Sequence, residues 1–392
     1  MRLPRPRRLL PLVLLLVLAA PVVANAHGNG TAPRPEAPGP FAVGRFTVFE
    51  VDEGRERTLP VDVWYPVDPE DAAGPASAYD LLFTQLVSER AFASPEASLE
   101  GPFPLVVFSH GNNGIRFQSY FLCEQLASHG FVVAAPDHVG NTAVDLLIPG
   151  PPFTITDRPL DVSFVISRML ARSLDPADPL HGRVDPTRIG VAGHSFGGFT
   201  TLAVAAGFGG VPADPRVSAI VPISPVSTIL SEAELAGILL PTLIVGGTSD
   251  TTTPVDPQSA WAYQHVSGRP LYRLDVLEAG HNSFTDICAI GEALIDAGLP
   301  PSLLGFLLGN LEEGCSPELV DVAEAHRLTN RYVVSFMQAI LAGDSSYLPF
   351  LKPQHQVPGV ILFVSVACTS GMGGLAFVSI FLVLGASARR RR

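Results

Sequence analysis

Gly193-His194-Ser195-Phe196-Gly197 sets a serine between glycines. The apolar run 189–192 precedes it and a small-residue segment, 200–206, follows. Strand, G-x-S-x-G, helix is the order of a sharp turn that lifts a serine hydroxyl above a sheet edge, and the glycines are needed because that turn is tight. A serine hydroxyl is a weak nucleophile near neutral pH. It needs a base to take its proton, and the base needs an orienting anion. Both follow in the chain, each after an apolar run that reads as a strand. Asp250 lies in Gly247-Thr248-Ser249-Asp250, behind residues 242–246, and His281 lies in Ala279-Gly280-His281-Asn282, behind residues 271–277. The chain order Ser, Asp, His is the one this strand-turn-helix context requires. Asp286 is the main rival for the anion but sits too close behind His281; Asp275 and Asp256 are weaker.

Attack on a carbonyl puts negative charge on its oxygen, and two backbone N–H groups should meet it. One belongs to Phe196, the residue after the serine. The other comes from the polar loop His110-Gly111-Asn112-Asn113, with Asn112 as first choice and Asn113 as second. His110 reads as a brace for that loop rather than as a base. His and Cys do not cluster at metal-ligand spacing, and no phosphate-cradling glycine loop follows a strand. No cofactor and no metal are expected.

The elements that position these groups alternate. Residues 41–49 and 58–64 alternate apolar and polar around a polar turn and predict an antiparallel hairpin at a sheet edge. Residues 80–90 predict a helix. Residues 104–109 predict a buried strand, 115–129 a helix, and 131–135 a second buried strand. Strand, crossover helix, strand is the unit of a parallel sheet. A helix opening at Asp157 with Pro159 in its first turn runs to about Ser173. After the serine turn come strands at 217–223, 242–246 and 271–277, a helix at 256–266 and a long closing helix at 318–341. The fold class is therefore α/β, with a mostly parallel, doubly wound sheet.

The two ends differ from the body. Of 25 basic residues, four lie among the first ten and four are the last four, which leaves 17 against 37 acidic residues in between. A body that acidic argues against nucleic-acid binding. Residues 1–26 have a positive start, an apolar middle and Ala24-Asn25-Ala26, the pattern of an export signal that leaves His27 as the first residue. Residues 27–40, rich in Pro, Gly and Ala, predict a linker, and 346–358 a second one. Residues 359–388 are uncharged and mostly apolar and stop at Arg389–Arg392. They are long enough to span a bilayer, with the arginines cytoplasmic and the body, 41–345, outside. A removable sorting tail is the other reading. Export permits disulfides, and Cys288 and Cys315, which bracket the insertion 285–316, are the expected pair.

Several of these stretches resemble a known family. Pro104-Leu105-Val106-Val107-Phe108-Ser109-His110-Gly111, residues 126–135 (LASHGFVVAA) and Gly193-His194-Ser195-Phe196-Gly197-Gly198 are similar to platelet-activating-factor acetylhydrolases and to the bacterial proteins named predicted dienelactone hydrolases. Residues 59–66 (LPVDVWYP) are similar to the start of the bacterial group, and the likeness covers about 41–341. More distantly, the chain is similar to bacterial cutinases and polyester hydrolases. The resemblance implies an α/β-hydrolase fold and hydrolysis of a carboxylic ester through an acyl-serine intermediate. Two departures stand out. The place directly after strand 217–223 reads Ser224-Pro225, where the animal acetylhydrolases carry their acid. The serine stands where dienelactone hydrolases proper use cysteine.

The expected activity is an exported, membrane-anchored serine esterase acting on a small or lipid-like ester. An acyltransferase or peptidase using the same three residues is an alternative, as is a binding protein that has lost catalysis. The apolar insertion after His281 is either a cap over the acyl pocket or a helical pair packed on the core.

Overall fold

A computed structural model describes residues 34–81, 84–298 and 305–366. The expected export signal, the first part of the linker at 27–40, the apolar tail from 367 and the terminal arginines lie outside them. So does the start of the apolar stretch Leu303 to Leu308 in the insertion.

The strands are β1 (Ala42–Asp52), β2 (Arg57–Val67), β3 (Ala76–Asp80), β4 (Gln85–Ala93), β5 (Phe103–Ser109), β6 (Val132–Pro136), β7 (Val184–His194), β8 (Val217–Ile223), β9 (Thr242–Gly247), β10 (Leu271–Val276) and β11 (Val360–Ser365). The helices are α1 (Tyr120–Ser128), α2 (Asp157–Leu174), α3 (Phe196–Ala206), α4 (Glu232–Gly237), α5 (Ser259–His265), α6 (Ile287–Asp296), α7 (Gly305–Cys315) and α8 (Val322–Phe336). Among the described residues the strands form one sheet, in the order β11-β10-β9-β8-β7-β5-β6-β2-β1-β4-β3. The run from β10 to β6 is parallel throughout.

Those central strands are buried on both faces, which is why they read as unbroken Val/Ile/Leu runs. On one face α1 (Leu122, Leu126) and α8 (Tyr332, Phe336) pack on Val106, Val133 and Val221. On the other, α2 (Val162, Ile166) and α3 (Leu202, Ala203) pack on Val107, Val191 and Ile220. Helices on both faces of a mostly parallel sheet make the fold α/β.

Five expectations need correction. The hairpin β1–β2 forms, paired from Ala42↔Val67 to Asp52↔Arg57, but it is not at the edge. β4 adds to β1 in parallel and β3 to β4 antiparallel. In place of the helix expected at 80–90, β3 ends at Asp80 and β4 begins at Gln85. On β4 the polar Ser88 faces inward between Leu86 and Ala91, its Oγ donating to the buried Glu124 carboxylate at 2.6 Å; Tyr79 Oη on β3 donates to the same oxygen at 2.7 Å, while Val87 faces outward. Apolar periodicity cannot report such a strand.

The linker at 346–358 is packed structure. Tyr347 and Leu351 are buried against the α8 side of the core. The span expected from Gly359 begins as β11, paired antiparallel with β10 from Val276↔Val360 to Leu271↔Ser365. Val360 and Leu362 face the core, and Phe363 covers the Arg273 guanidinium at 3.9 Å. Both faces of β11 are apolar, which gave it the look of a membrane segment. No helix among the described residues is long and apolar enough to cross a membrane. Finally, residues 34–40 of the first linker are docked. Pro35 and Ala37 offer carbonyls to Gln125 on α1, and Glu36 pairs with Arg331 on α8 at 3.0 Å.

Candidate active site

Ser195 joins β7 to α3 with φ 58°, in the left-handed region that a serine seldom adopts. The crowding around it explains the flanking glycines. A Cβ on Gly193 or on Gly197 would be driven into the carbonyl of Ser109 on β5. The turn thus presses directly on the neighbouring strand, and only glycine fits there.

The three expected side chains meet beyond the ends of β7, β9 and β10, with β8 lying between β7 and β9 in the sheet. His281 Nε2 lies 2.8 Å from Ser195 Oγ, and His281 Nδ1 lies 2.9 Å from Asp250 Oδ2. Asp250 is almost fully buried. Burial alone would raise its carboxyl, but hydrogen bonds and charge from His281, together with the bonds from Thr253, hold it below the usual carboxylate range. Thr253 gives Asp250 its backbone N–H at 2.6 Å and its hydroxyl at 2.8 Å, and that hydroxyl is also 3.0 Å from His281 Nδ1.

The rival acids are elsewhere. Asp286 accepts the backbone N–H of Phe121 at the start of α1, and burial pushes its carboxyl well up. Asp275 pairs with Arg273 at 2.9 Å, and Asp256 is exposed.

Phe196 opens α3, where backbone N–H groups are left free by the helix geometry. The loop at 110–113 runs alongside: a Cβ on Gly111 would sit 3.4 Å from Ser195 Cβ. Asn113 takes φ 51°. Asn141 ties the loop down, donating from Nδ2 to Asn112 Oδ1 at 2.9 Å and to Asn113 Oδ1 at 3.1 Å. His110 is turned inward. Its Nδ1 meets the Gly111 carbonyl at 2.7 Å and its Nε2 accepts the backbone N–H of His138 at 3.0 Å. Burial, then the nearby Arg158, keeps it neutral.

Other groups at the site were missed in the sequence. His194 Nε2 donates to the His281 carbonyl at 2.8 Å, and its Nδ1 accepts from Gln118 at 3.0 Å. Gln118 in turn accepts the backbone N–H of Gly111 at 2.9 Å, so one chain of bonds links the two sides of Ser195. Burial, then the neighbouring His281, brings His194 down to about 3. Arg158, His138 and Asp161 lie under the loop. A signal for Arg158 was present: it shares a helical stripe with Val162, Val165 and Met169, an apolar face on which a charge is out of place.

The insertion contains a disulfide, Cys288–Cys315. Its second helix, α7, touches the His281 turn directly. Asn282 Nδ2 donates to the carbonyl and side-chain oxygens of Asn310, each at 3.1 Å, and a Cβ on Gly280 would strike the Glu313 carbonyl. Among the described residues, no three His, Cys, Asp or Glu side chains converge as a metal site.

Comparison with known proteins matches residues 96–291 to the family model described as PETase, PET hydrolase-like. Cutinase est1 of Thermobifida alba is 31% identical over 161 residues, which is 41% of this chain and 47% of that protein. Bis(hydroxyethyl) terephthalate hydrolase of Streptomyces coelicolor is 32% identical over 180 residues, 45% of this chain and 48% of that protein. A cutinase of Thermobifida fusca is 29% identical over 150 residues, 38% and 42% of the two chains. The chain spans about half the length of the curated relatives it matches. The matched family is the one to which the sequence bore the more distant likeness, and the match ends inside α6, before α7 and Cys315.

Proposed function

The chain belongs to the PET hydrolase-like family, and from that premise we propose that it is a serine hydrolase that cleaves carboxylic esters through an acyl-Ser195 intermediate. The observation that carries this reading is the unbroken run Ser195 Oγ, His281, Asp250 at 2.8 and 2.9 Å, on a serine held at positive φ.

His281 Nε2 takes the Ser195 proton as Oγ attacks the ester carbonyl. Asp250 accepts from Nδ1–H, fixes the tautomer and stabilises the imidazolium. The backbone N–H groups of Phe196 and Asn112 meet the oxyanion. His281 then returns the proton to the departing alkoxide, leaving an acyl ester on Oγ. Water, deprotonated by the same imidazole, attacks that ester and releases the acid and free Ser195. Relatives named for cutin and bis(hydroxyethyl) terephthalate point to a hydrophobic ester as the substrate class.

We also read residues 1–26 as an export signal, with the tail from 367 as an anchor or sorting segment. Amino-terminal sequencing of the expressed chain, and its fractionation with and without residues 367–392, test this. An uncleaved start, or a full chain left in the cytoplasm, would sink it.

The activity is tested with nitrophenyl esters from acetyl to palmitoyl and with bis(hydroxyethyl) terephthalate, on the full chain beside Ser195→Ala. Turnover in the parent lost by at least about 1,000-fold in the variant is expected. Phosphonate labelling of Ser195 without ester turnover would favour acyl transfer or peptide cleavage. Neither turnover nor labelling in folded protein would overturn the enzyme reading.

A further inference from the structure

Beneath the loop at 110–113 lies a second Ser-His-Asp series. Ser109 Oγ is 2.9 Å from His138 Nε2, and His138 Nδ1 is 3.0 Å from Asp161 Oδ2. The spacing copies that of Ser195, His281 and Asp250. All three groups are 0% exposed, so no carbonyl can reach Ser109. Arg55 and Arg57 occupy the Asp161 carboxylate at 2.7 and 3.0 Å. This series is a support, and it leads to Arg158.

Arg158 is itself fully buried, and every acceptor it meets is neutral. Burial draws its pKa down to about 9, opposed by Asp161, so it is a cation at neutral pH. A buried cation without a direct carboxylate partner is costly, and it is kept only where its hydrogen bonds are all used. The arrangement of those bonds is specific. One arm goes to the loop: Arg158 donates to the His110 carbonyl and, at 2.6 Å, to Asn141 Oδ1. Asn141 passes that hold to the Asn112 and Asn113 side chains. The other arm goes to α3. Arg158 Nε donates to Thr200 Oγ1 at 2.9 Å, and Thr200 Oγ1 donates to the Phe196 carbonyl at 2.9 Å. The guanidinium carbon also sits 4.9 Å from the centre of the Phe196 ring.

We propose that Arg158 is a positioning residue for the oxyanion site, its planar fork setting the distance between the backbone N–H groups of Asn112 and Phe196. The inference rests on the ester-hydrolase reading and deepens it. Lysine has one compact head and cannot hold both arms at once. Donors that have drifted apart bind a ground-state carbonyl nearly as well but lose the developing oxyanion, so the loss falls on kcat rather than KM.

The test compares the full chain with Arg158→Gln, Arg158→Lys, Asn141→Ala and Thr200→Val. Met169→Ala, a core truncation on the same helix, serves as a control for lost stability. Three quantities are read: kcat and KM on a nitrophenyl ester, the rate of Ser195 labelling by a fluorophosphonate, and Tm. Arg158→Gln is expected to lower kcat and the labelling rate together by about 100-fold, with KM within about twofold. Lysine should restore less than about a tenth of the loss. Asn141→Ala and Thr200→Val, each cutting one arm, should lose roughly tenfold each and combine less than multiplicatively. Activity falling no further than in Met169→Ala at matched Tm, or full rescue by lysine, would overturn the proposal. A parent chain that turns over no ester fails the functional reading alone, since the labelling rates still report on the oxyanion donors.

Discussion

Glu313 on α7 accepts the backbone N–H of His281 at 3.3 Å, and its other oxygen takes the hydroxyl of Thr251, the residue after Asp250. One side chain of the disulfide-tied insertion therefore holds both loops that carry His281 and Asp250. The described part of the insertion acts as a brace on those loops. Cys288 and Cys315 close a loop of sequence separation 27, for which loss of the cross-link costs about 3 kcal/mol. The double variant Cys288→Ser/Cys315→Ser should unfold at lower denaturant by that amount. Glu313→Gln should keep stability within about 1 kcal/mol and lower kcat severalfold. Denaturant titration beside ester kinetics checks both. A Glu313→Gln chain with parental kcat would free the insertion from any part in holding His281.

Thr253 offers the second expectation. Its hydroxyl touches Asp250, the His281 Nδ1 side and the Ser224 carbonyl, at 2.8, 3.0 and 3.0 Å. Thr253→Val keeps the shape and removes the oxygen, leaving Asp250 one bond short. A loss of about tenfold in kcat at unchanged KM is expected, with Thr253→Ser close to parental. Equal activity in the valine variant would show that the backbone N–H of Thr253 orients Asp250 unaided.

These supporting residues mark where the sequence stopped being legible. Ser195, Asp250 and His281 could be read because each follows a strand buried on both faces, and each lies in a Gly-containing turn. Thr253, Asn141 and Thr200 carry no charge and no periodic signal; their partners are set by the packing of distant turns. Arg158 did break the apolar stripe of α2, but the stripe alone does not say what a buried cation would hold. The outer sheet was hidden for a related reason. Ser77 and Ser88 face inward, answering Arg45 and Glu124 with hydrogen bonds instead of apolar area. β11 was hidden by the opposite fault, being apolar on both faces, since Phe363 lies flat on Arg273.

Gly197 tests the turn itself. A Cβ there would collide with the backbone of Ser109 and His110, neither of which can move without displacing β5. Gly197→Ala is expected to cost roughly 3 kcal/mol or more, in the range where a backbone clash rather than lost entropy sets the penalty. Soluble yield and Tm measure it. A folded alanine variant of near-parental Tm would mean that the β7–α3 turn is looser than its contacts imply.

The last expectation concerns pH. His129 is buried between α1 and the segment at 345–351; its Nε2 donates to the Ala37 carbonyl at 2.9 Å, and the Tyr347 hydroxyl faces Nδ1 at 3.4 Å. Burial lowers its pKa to about 4; the Ala37 bond and Glu36 pull the other way, and Arg90 adds to the fall. The folded imidazole thus refuses a proton that the unfolded chain accepts from about pH 6.5 downward. Its share of stability is whole above pH 6.5 and drains away as pH falls towards 4. One pKa unit is worth about 1.4 kcal/mol, so the loss reaches roughly 3 kcal/mol. His129→Gln removes this proton uptake but none of the titrations elsewhere in the fold, which cancel between the two proteins. The variant should be less stable than the parent at pH 7, and the gap should close by roughly 3 kcal/mol, or invert, by pH 4. Denaturant unfolding of both proteins at pH 7, 5.5 and 4.5 reads this directly. A gap that stays constant across the three would show that His129 takes up its proton as readily in the folded protein as in the unfolded chain.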